Sequence, residues 1–216
     1  MKTDPETFIR ANTEIMTPPH VPEIRLHLAT EAHDLWLKTE DELQEIGLPP
    51  PFWAFAWAGG QGLARYILDN PETVSGKRVL DFASGSGIVA IAARFAGAAE
   101  VTAADIDPWA MAAVRLNALK NGVQVAFAGD DLIGRPVDAD IVLAGDVFYD
   151  RDFADRLVPW FKALAAQGIE VLVGDPGRAY LPKQNLVSCA AYEVAVTRAL
   201  EDSEVKKTTV WKFAAG

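Results

Sequence analysis

Three carboxylates stand at the ends of three apolar runs, each followed by residues that leave room for a ligand. Arg78 to Phe82 (RVLDF) carries Asp81 and leads through Ala83-Ser84-Gly85-Ser86-Gly87 into an Ala-rich segment. Small residues let the backbone approach a ligand, and free N–H groups at a helix start favour a polar or anionic group. Asp105 closes the next run, 24 residues after Asp81. A carboxylate there can accept hydrogen bonds from both hydroxyls of a ribose. Asp107 could share that task, although with Pro108 beside it a helix cap is the better fit. After a third run, Gly129-Asp130-Asp131 offers carboxylates or an N–H to an adenine amino edge, and suits a solvated turn equally well. The third carboxylate is Asp146, in Gly145-Asp146-Val147-Phe148-Tyr149. Gly87 with Ala90 also satisfies the dinucleotide fingerprint formally, so a nicotinamide cofactor competes with other nucleoside ligands at this stage.

The elements that must hold these residues read as a βα alternation. Trp57 to Leu68 is expected to be a helix with Leu63, Ile67 and Leu68 inward. Its opening residue Trp57 is placed either against a cofactor or in plain core packing. Strands are expected at 78–82, 101–105, 123–128, 141–144 and 169–174, and helices at 88–95, from Pro108 to Asn121-Gly122, and at 152–166. Leu186 to Thr197 and Lys206 to Phe213 read as an antiparallel pair around Glu201-Asp202-Ser203, with Lys206-Lys207 on a solvated strand edge. The fold class expected is α/β: a doubly wound, mostly parallel seven-stranded sheet with an antiparallel terminal strand. Ligands of open α/β sheets bind at the carboxyl ends of strands, which is where Asp175-Pro176-Gly177-Arg178 falls.

Residues 1–50 read as an N-terminal extension too short for a core of its own, followed by a main domain over 51–216. The extension starts a helix at Asp4-Pro5-Glu6, breaks at Thr17-Pro18-Pro19 and runs extended through Ile24, Leu26 and Leu28. It resumes as a partly amphipathic helix from Glu31 to Ile46 and ends at Pro49-Pro50-Pro51. Twenty basic against thirty acidic residues give a net charge of −10 over 216 residues, which disfavours nucleic acid and anionic lipid as partners and suits one presenting lysines. A single cysteine, Cys189, excludes an internal disulfide framework and a multi-thiolate zinc site. No metal is expected, and His20, His27 and His33 are placed on the surface. Met1 to Arg10 contain Asp4 and Glu6 and no apolar stretch, so no signal peptide is expected, and a cytoplasmic monomer is the expectation.

At this point the chain resembles the seven-strand class of S-adenosylmethionine-dependent methyltransferases, with Ala83 in place of the first glycine of that class's turn. A narrower resemblance covers nearly all the chain. Asp146-Val147-Phe148-Tyr149 looks like the Asp-x-x-Tyr motif of the protein-lysine methyltransferase branch. Pro51-Phe52-Trp53-Ala54 with Trp57-Ala58-Gly59-Gly60-Gln61-Gly62-Leu63, Gly174-Asp175-Pro176-Gly177-Arg178, and Pro22-Glu23-Ile24-Arg25-Leu26 are similar to segments of the electron-transfer-flavoprotein β-subunit lysine methyltransferase family. In mitochondria-bearing organisms members carry a targeting segment, which is not seen here, as a bacterial member would require. The resemblance implies S-adenosylmethionine as cofactor, held by Trp57, Asp81, Ala83, Gly85, Gly87, Asp105, Ile106, Asp130 or Asp131, and Gly145. It implies Asp146 and Tyr149 as catalytic residues, and contact of Trp53, Phe148, Asp175 and Arg178 with the substrate, the β subunit of electron transfer flavoprotein. Another protein, such as a ribosomal protein, or a small molecule remains an alternative acceptor.

Overall fold

The computed structural model describes residues 4–30, 50–196 and 203–214. The helix expected from Glu31 to Ile46, His33, and Glu201-Asp202 of the expected turn lie outside them. Asp4 opens α1 (Pro5–Asn12): its Oδ2 accepts the Thr7 N–H at 2.9 Å, and Pro5 sits in the first turn, where its missing donor costs nothing. The helix ends at Asn12, well before the Thr17-Pro18-Pro19 break, because Thr13 is extended and leads into β1 (Glu14–Met16). β1 pairs antiparallel with β2 (Leu26–Leu28).

Pro51 then caps a single 3-10 turn, Phe52–Ala54. The βα alternation follows: α2 (Ala58–Asp69), β3 (Arg78–Phe82), α3 (Ile88–Phe95), β4 (Glu100–Ala104), α4 (Pro108–Lys120), β5 (Ala126–Ala128), β6 (Ile141–Gly145), α5 (Arg151–Ala166) and β7 (Glu170–Asp175). β8 (Leu186–Ala195) and β9 (Val205–Phe213) close the chain as an antiparallel hairpin. The seven strands lie in the order β5-β4-β3-β6-β7-β9-β8, parallel from β5 to β7, with β9 antiparallel to both of its neighbours. β9 is thus an inner strand and β8 takes the edge, so Lys206 and Lys207 do not lie on the sheet edge expected for them. Val210 and Phe213 of β9 are buried in the two main cores, whereas most of β8 is exposed.

Alternation along the parallel strands divides the core in two. Val79, Ile141, Leu143 and Leu172 face α2 and α3, packing with Leu63, Ile67, Ile88 and Ile91. Leu80, Phe82, Val142, Ala144, Val171 and Val173 face α5, against Leu157, Trp160, Phe161 and Leu164. Parallel strands covered on both faces need apolar residues at nearly every position, which is why their sequences show no polar alternation. The N-terminal section docks on the first face: Val21, Ile24, Leu26 and Leu28 are buried in the same cluster as Ile88 and Val114. α4 carries it. Asn117 accepts the His27 N–H at 2.7 Å, and one turn later Asn121 accepts the Arg25 N–H at 2.9 Å and donates to the Arg25 carbonyl at 2.6 Å. His27, expected on the surface, is buried beside Thr13. Among the described residues no helix is long and apolar enough to cross a membrane.

The chain order reverses between β3 and β6: β3 is followed by β4 on one side and β6 is added on the other. Such a switch point opens a crevice at the strands' carboxyl ends. The glycine turn after β3 and Asp146 after β6 flank it.

Candidate active site

The turn after β3 is built on left-handed backbone. Ala83, Gly85 and Gly87 have φ of 53°, 51° and 77°. Glycine adopts this region without penalty, and Ala83 adopts it at a cost of about 1–2 kcal/mol. Gly87 caps α3, and a Cβ on it would press Val114 at 3.0 Å. Behind the turn, Asp81 is 1% exposed and accepts the Ala90 N–H at 3.0 Å, tying the strand end to the first turn of α3. Burial, with a contribution from the Asp105 charge, pushes its pKa up to about 8. Asp105 braces the turn from the other side: Oδ2 accepts the Gly85 N–H and Oδ1 the Asp107 N–H, both at 3.0 Å. Burial raises its pKa as well. Asp107 caps α4 by accepting the Trp109 N–H at 2.9 Å.

Asp105 also borders a cavity of about 370 Å³, with the exposed Ile106, Gly129, and Asp4, Pro5 and Glu6 of the α1 start. Asp130 and Asp131 part company beyond it. Asp131 pairs with Arg156 at 2.5 Å, which lowers its pKa, while Asp130 is exposed beside Gly129. The Ser84 hydroxyl is buried in the turn without a hydrogen-bond partner among the described residues. An orphaned hydroxyl, left-handed glycines and a carboxylate at the strand end suit a nucleoside-bearing ligand.

Asp146 lies across the switch point. Its backbone is left-handed, with φ of 57°, and its N–H donates to the Gly174 carbonyl at 2.9 Å. Oδ2 accepts the Gly60 N–H at 3.0 Å, from the first turn of α2. That helix start sits directly on the sheet. A Cβ on Gly145 would lie 2.8 Å from Gly60 Cα, and one on Gly174 would lie 2.1 Å from the Gly59 carbonyl oxygen. Gly145 therefore faces backbone of α2 in this arrangement. Oδ1 accepts Arg178 Nε at 3.0 Å and Nη2 at 2.7 Å. Burial pushes the Asp146 pKa up to about 6, opposed by Arg178 and reinforced by Asp175. Asp175 is itself 1% exposed. Its Oδ1 accepts the Gly177 and Arg178 N–H groups at 2.6 and 2.7 Å, which folds the turn that presents Arg178.

The aromatic residues near Asp146 are not all the expected ones. Tyr149 is 51% exposed and lies 5.7 Å from Phe52, itself 49% exposed. Phe52 in turn meets Trp57 edge-on at 6.0 Å, and its carbonyl accepts the Trp57 indole N–H at 2.9 Å. The Arg178 guanidinium lies 5.7 Å from the Trp57 ring centre. Trp53 and Phe148, expected to line a substrate channel, are fully buried: Trp53 packs with Ile9 and Leu116, and Phe148 with Phe161 and Phe213. Adjacent residues on a 3-10 turn point in different directions, and Phe52, quoted within the Pro51–Ala54 segment but given no role there, takes the exposed one. Asn117 also escaped notice. Besides holding β2, it donates to the Ser86 carbonyl at 2.8 Å, linking the N-terminal section to the glycine turn. An Asn set between Leu116 and Ala118, among the apolar residues of that helix, was the available signal.

Comparison with known proteins gives the family. Residues 65–147 match the family model described as ribosomal protein L11 methyltransferase (PrmA). A solved structure of magnesium protoporphyrin IX methyltransferase (ChlM) from Synechocystis PCC 6803 with bound SAM shares the fold. It has a TM-score of 0.51 at 18% identity, over 72% of this chain and 80% of that one. The electron transfer flavoprotein beta subunit lysine methyltransferase of Homo sapiens is 38% identical, over 97% of this chain and 83% of its own length. The protein of the same name from Xenopus laevis is 41% identical over 98% of this chain and 87% of its own. With likeness of that degree along nearly its whole length, the chain belongs to the electron transfer flavoprotein beta subunit lysine methyltransferase family.

Proposed function

We propose that this chain transfers methyl groups from S-adenosylmethionine to lysine side chains, and that its protein substrate is the electron transfer flavoprotein β subunit. The observation that carries this reading is Asp146: a buried carboxylate on left-handed backbone, fixed by Gly60 and Arg178 at the mouth of the switch-point crevice. Backbone strain and an expensive buried charge at one position mark a functional site. The bound cofactor supplies a methyl group on a positively charged sulfur. Gly85 and Gly87 would lie against it, with Asp105 at the ribose and Ile106 and Asp130 at the adenine. Asp81 and Ala83 shape the turn from behind. In this reading the start of α1 covers the adenine end of the main domain, since Asp4, Pro5 and Glu6 share a cavity with Asp105 and Ile106.

The protein's task is alignment, because methyl transfer from sulfur to nitrogen is an in-line displacement. A lysine amine has a reference pKa near 10.4 and must shed its proton before it attacks. Asp146 binds and aims the amine, and the proton leaves to water. Tyr149 and Phe52 border the approach, where an aromatic face contributes about 0.5–2 kcal/mol to holding a cation. An acidic surface suits a lysine-bearing loop. The match to the L11 methyltransferase model favours, as a second reading, a ribosomal protein as acceptor. With radiolabelled cofactor, both proteins can be offered to the enzyme. The expected result is label on the flavoprotein β subunit that is abolished by Asp146→Ala, with affinity for S-adenosylhomocysteine held within a few-fold. Loss of both would make Asp146 a cofactor residue, and label on the ribosomal protein alone would favour the second reading.

A further inference from the structure

One side chain saturates half of Asp146. Arg178 donates twice to Oδ1, so both lone-pair directions of that oxygen are used. Among the described residues Oδ2 accepts one N–H, that of Gly60, and so keeps one direction for a further donor. Arg178 is built into place: Asp175 Oδ1 holds the Gly177 and Arg178 N–H groups, Gly177 turns at φ of 93°, and the guanidinium rests over the Trp57 ring. Its side chain is 20% exposed and that of Asp146 is 9% exposed, so the pair is largely shielded from water.

A lone carboxylate in such a place would work against the transfer. An unneutralised negative charge beside a lysine stabilises the ammonium, which has no lone pair to attack with. The proposed methyl transfer therefore needs a seat that aims the nitrogen without holding its proton. We infer that Arg178 is the positioning residue that sets the charge of the lysine seat. Paired with Asp146, it keeps that carboxylate ionised and aimed while cancelling its charge, so that a lysine docked on the remaining acceptor direction of Oδ2 releases its proton to solvent. The ammonium proton passes to water or a buffer base at the mouth. The nitrogen lone pair then forms the bond to the methyl carbon, the carbon–sulfur bond breaks, and its electron pair stays on sulfur. The second N–H proton leaves afterwards.

The groups facing Asp146 agree. Arg178 lowers its pKa against burial, Asp175 from the end of β7 raises it, and the Gly60 N–H at the start of α2 lowers it. Removing Arg178 leaves two buried carboxylates with one backbone donor on Asp146.

This inference rests on the lysine-methylation reading, and Arg178→Gln and Arg178→Lys test it in two ways. The first measurement follows the Asp146 carboxyl carbon by NMR through a pH titration of the complex with S-adenosylhomocysteine. The expected result is an upward displacement of the midpoint in Arg178→Gln and a smaller one in Arg178→Lys. The second follows kcat and KM with electron transfer flavoprotein against pH. The kcat of Arg178→Gln should fall about tenfold or more at neutral pH, the equivalent of one pKa unit, and recover as pH rises. Arg178→Lys should restore most of it. An unmoved Asp146 titration with a loss of kcat equal at every pH would reduce Arg178 to a structural brace and overturn the proposal. A lower KM with undiminished kcat would also overturn it, showing a plug that substrate displaces. Should Arg178→Gln fail to fold, Arg178→Lys decides by the same criteria. If the unsubstituted protein leaves the flavoprotein unmethylated, the proposed function fails, and the carboxyl titration still shows whether Arg178 governs Asp146.

Discussion

At the scale of single residues, one buried carboxylate ties stability to pH. Asp81 has its pKa raised to about 8, from 3.8 in the free side chain. The folded chain therefore keeps a proton there that the unfolded chain gives up. Stability from this group is fully present below about pH 4 and is lost as pH rises toward 8. Asp81→Asn keeps the acceptor for the Ala90 N–H without the charge, so its melting temperature should fall less than that of the unsubstituted protein between neutral pH and pH ~9. An identical slope would show that Asp81 is ionised in the fold. Ala83 offers a second test. Its left-handed backbone costs about 1–2 kcal/mol, and glycine's extra freedom in the unfolded chain returns about 0.5–1. Ala83→Gly should leave stability unchanged or raise it by up to about 1 kcal/mol in urea denaturation. The strand-end aspartates were legible in the sequence because turn glycines and prolines mark where strands stop. The Arg178–Asp146 pair was not, since it joins residues 32 apart that lie just past the ends of neighbouring strands. No local pattern encodes which side chains two strand ends bring together.

Elements matter here through one contact, the first turn of α2 on the ends of β6 and β7. Gly59 and Gly60 meet Gly145 and Gly174 backbone to backbone, which places the Gly60 N–H on Asp146. Two glycines in the first turn of a helix carry an entropic cost, and close approach is what offsets it. Gly174→Ala would put a methyl 2.1 Å from the Gly59 carbonyl oxygen. Relief requires moving α2 off the sheet, so the substitution should destabilise the protein by about 1–3 kcal/mol or more and remove activity. A thermal melt together with the transfer assay checks both effects. The expected bounds of β3 and α3 match the observed ones residue for residue, since glycines punctuate both. The sheet order beyond β7 was not readable. Either arm of the C-terminal hairpin can pair with β7, and the choice of β9 follows from burying Val210 and Phe213 in cores built by distant segments.

Over the whole molecule, the N-terminal section is joined to the site rather than appended to it. Its apolar residues complete the first core, and Asn117 ties β2 to the glycine turn. Composition showed that this section could not make its own core but held no information about where it would dock. Ile24→Ala should cost about 2–5 kcal/mol in denaturant unfolding, as for a core residue of the main domain. A cost near zero would make the section an independent appendage. The net charge of −10 predicts that KM for a lysine-bearing protein substrate rises with ionic strength. The central claim is lysine methylation of a folded partner, and intact-mass spectrometry of purified electron transfer flavoprotein incubated with this protein and S-adenosylmethionine tests it most directly. The account predicts mass steps of one methylene each, confined to the β subunit and absent with Asp146→Ala. An unchanged β subunit, with binding of the cofactor verified in the same sample, would contradict it.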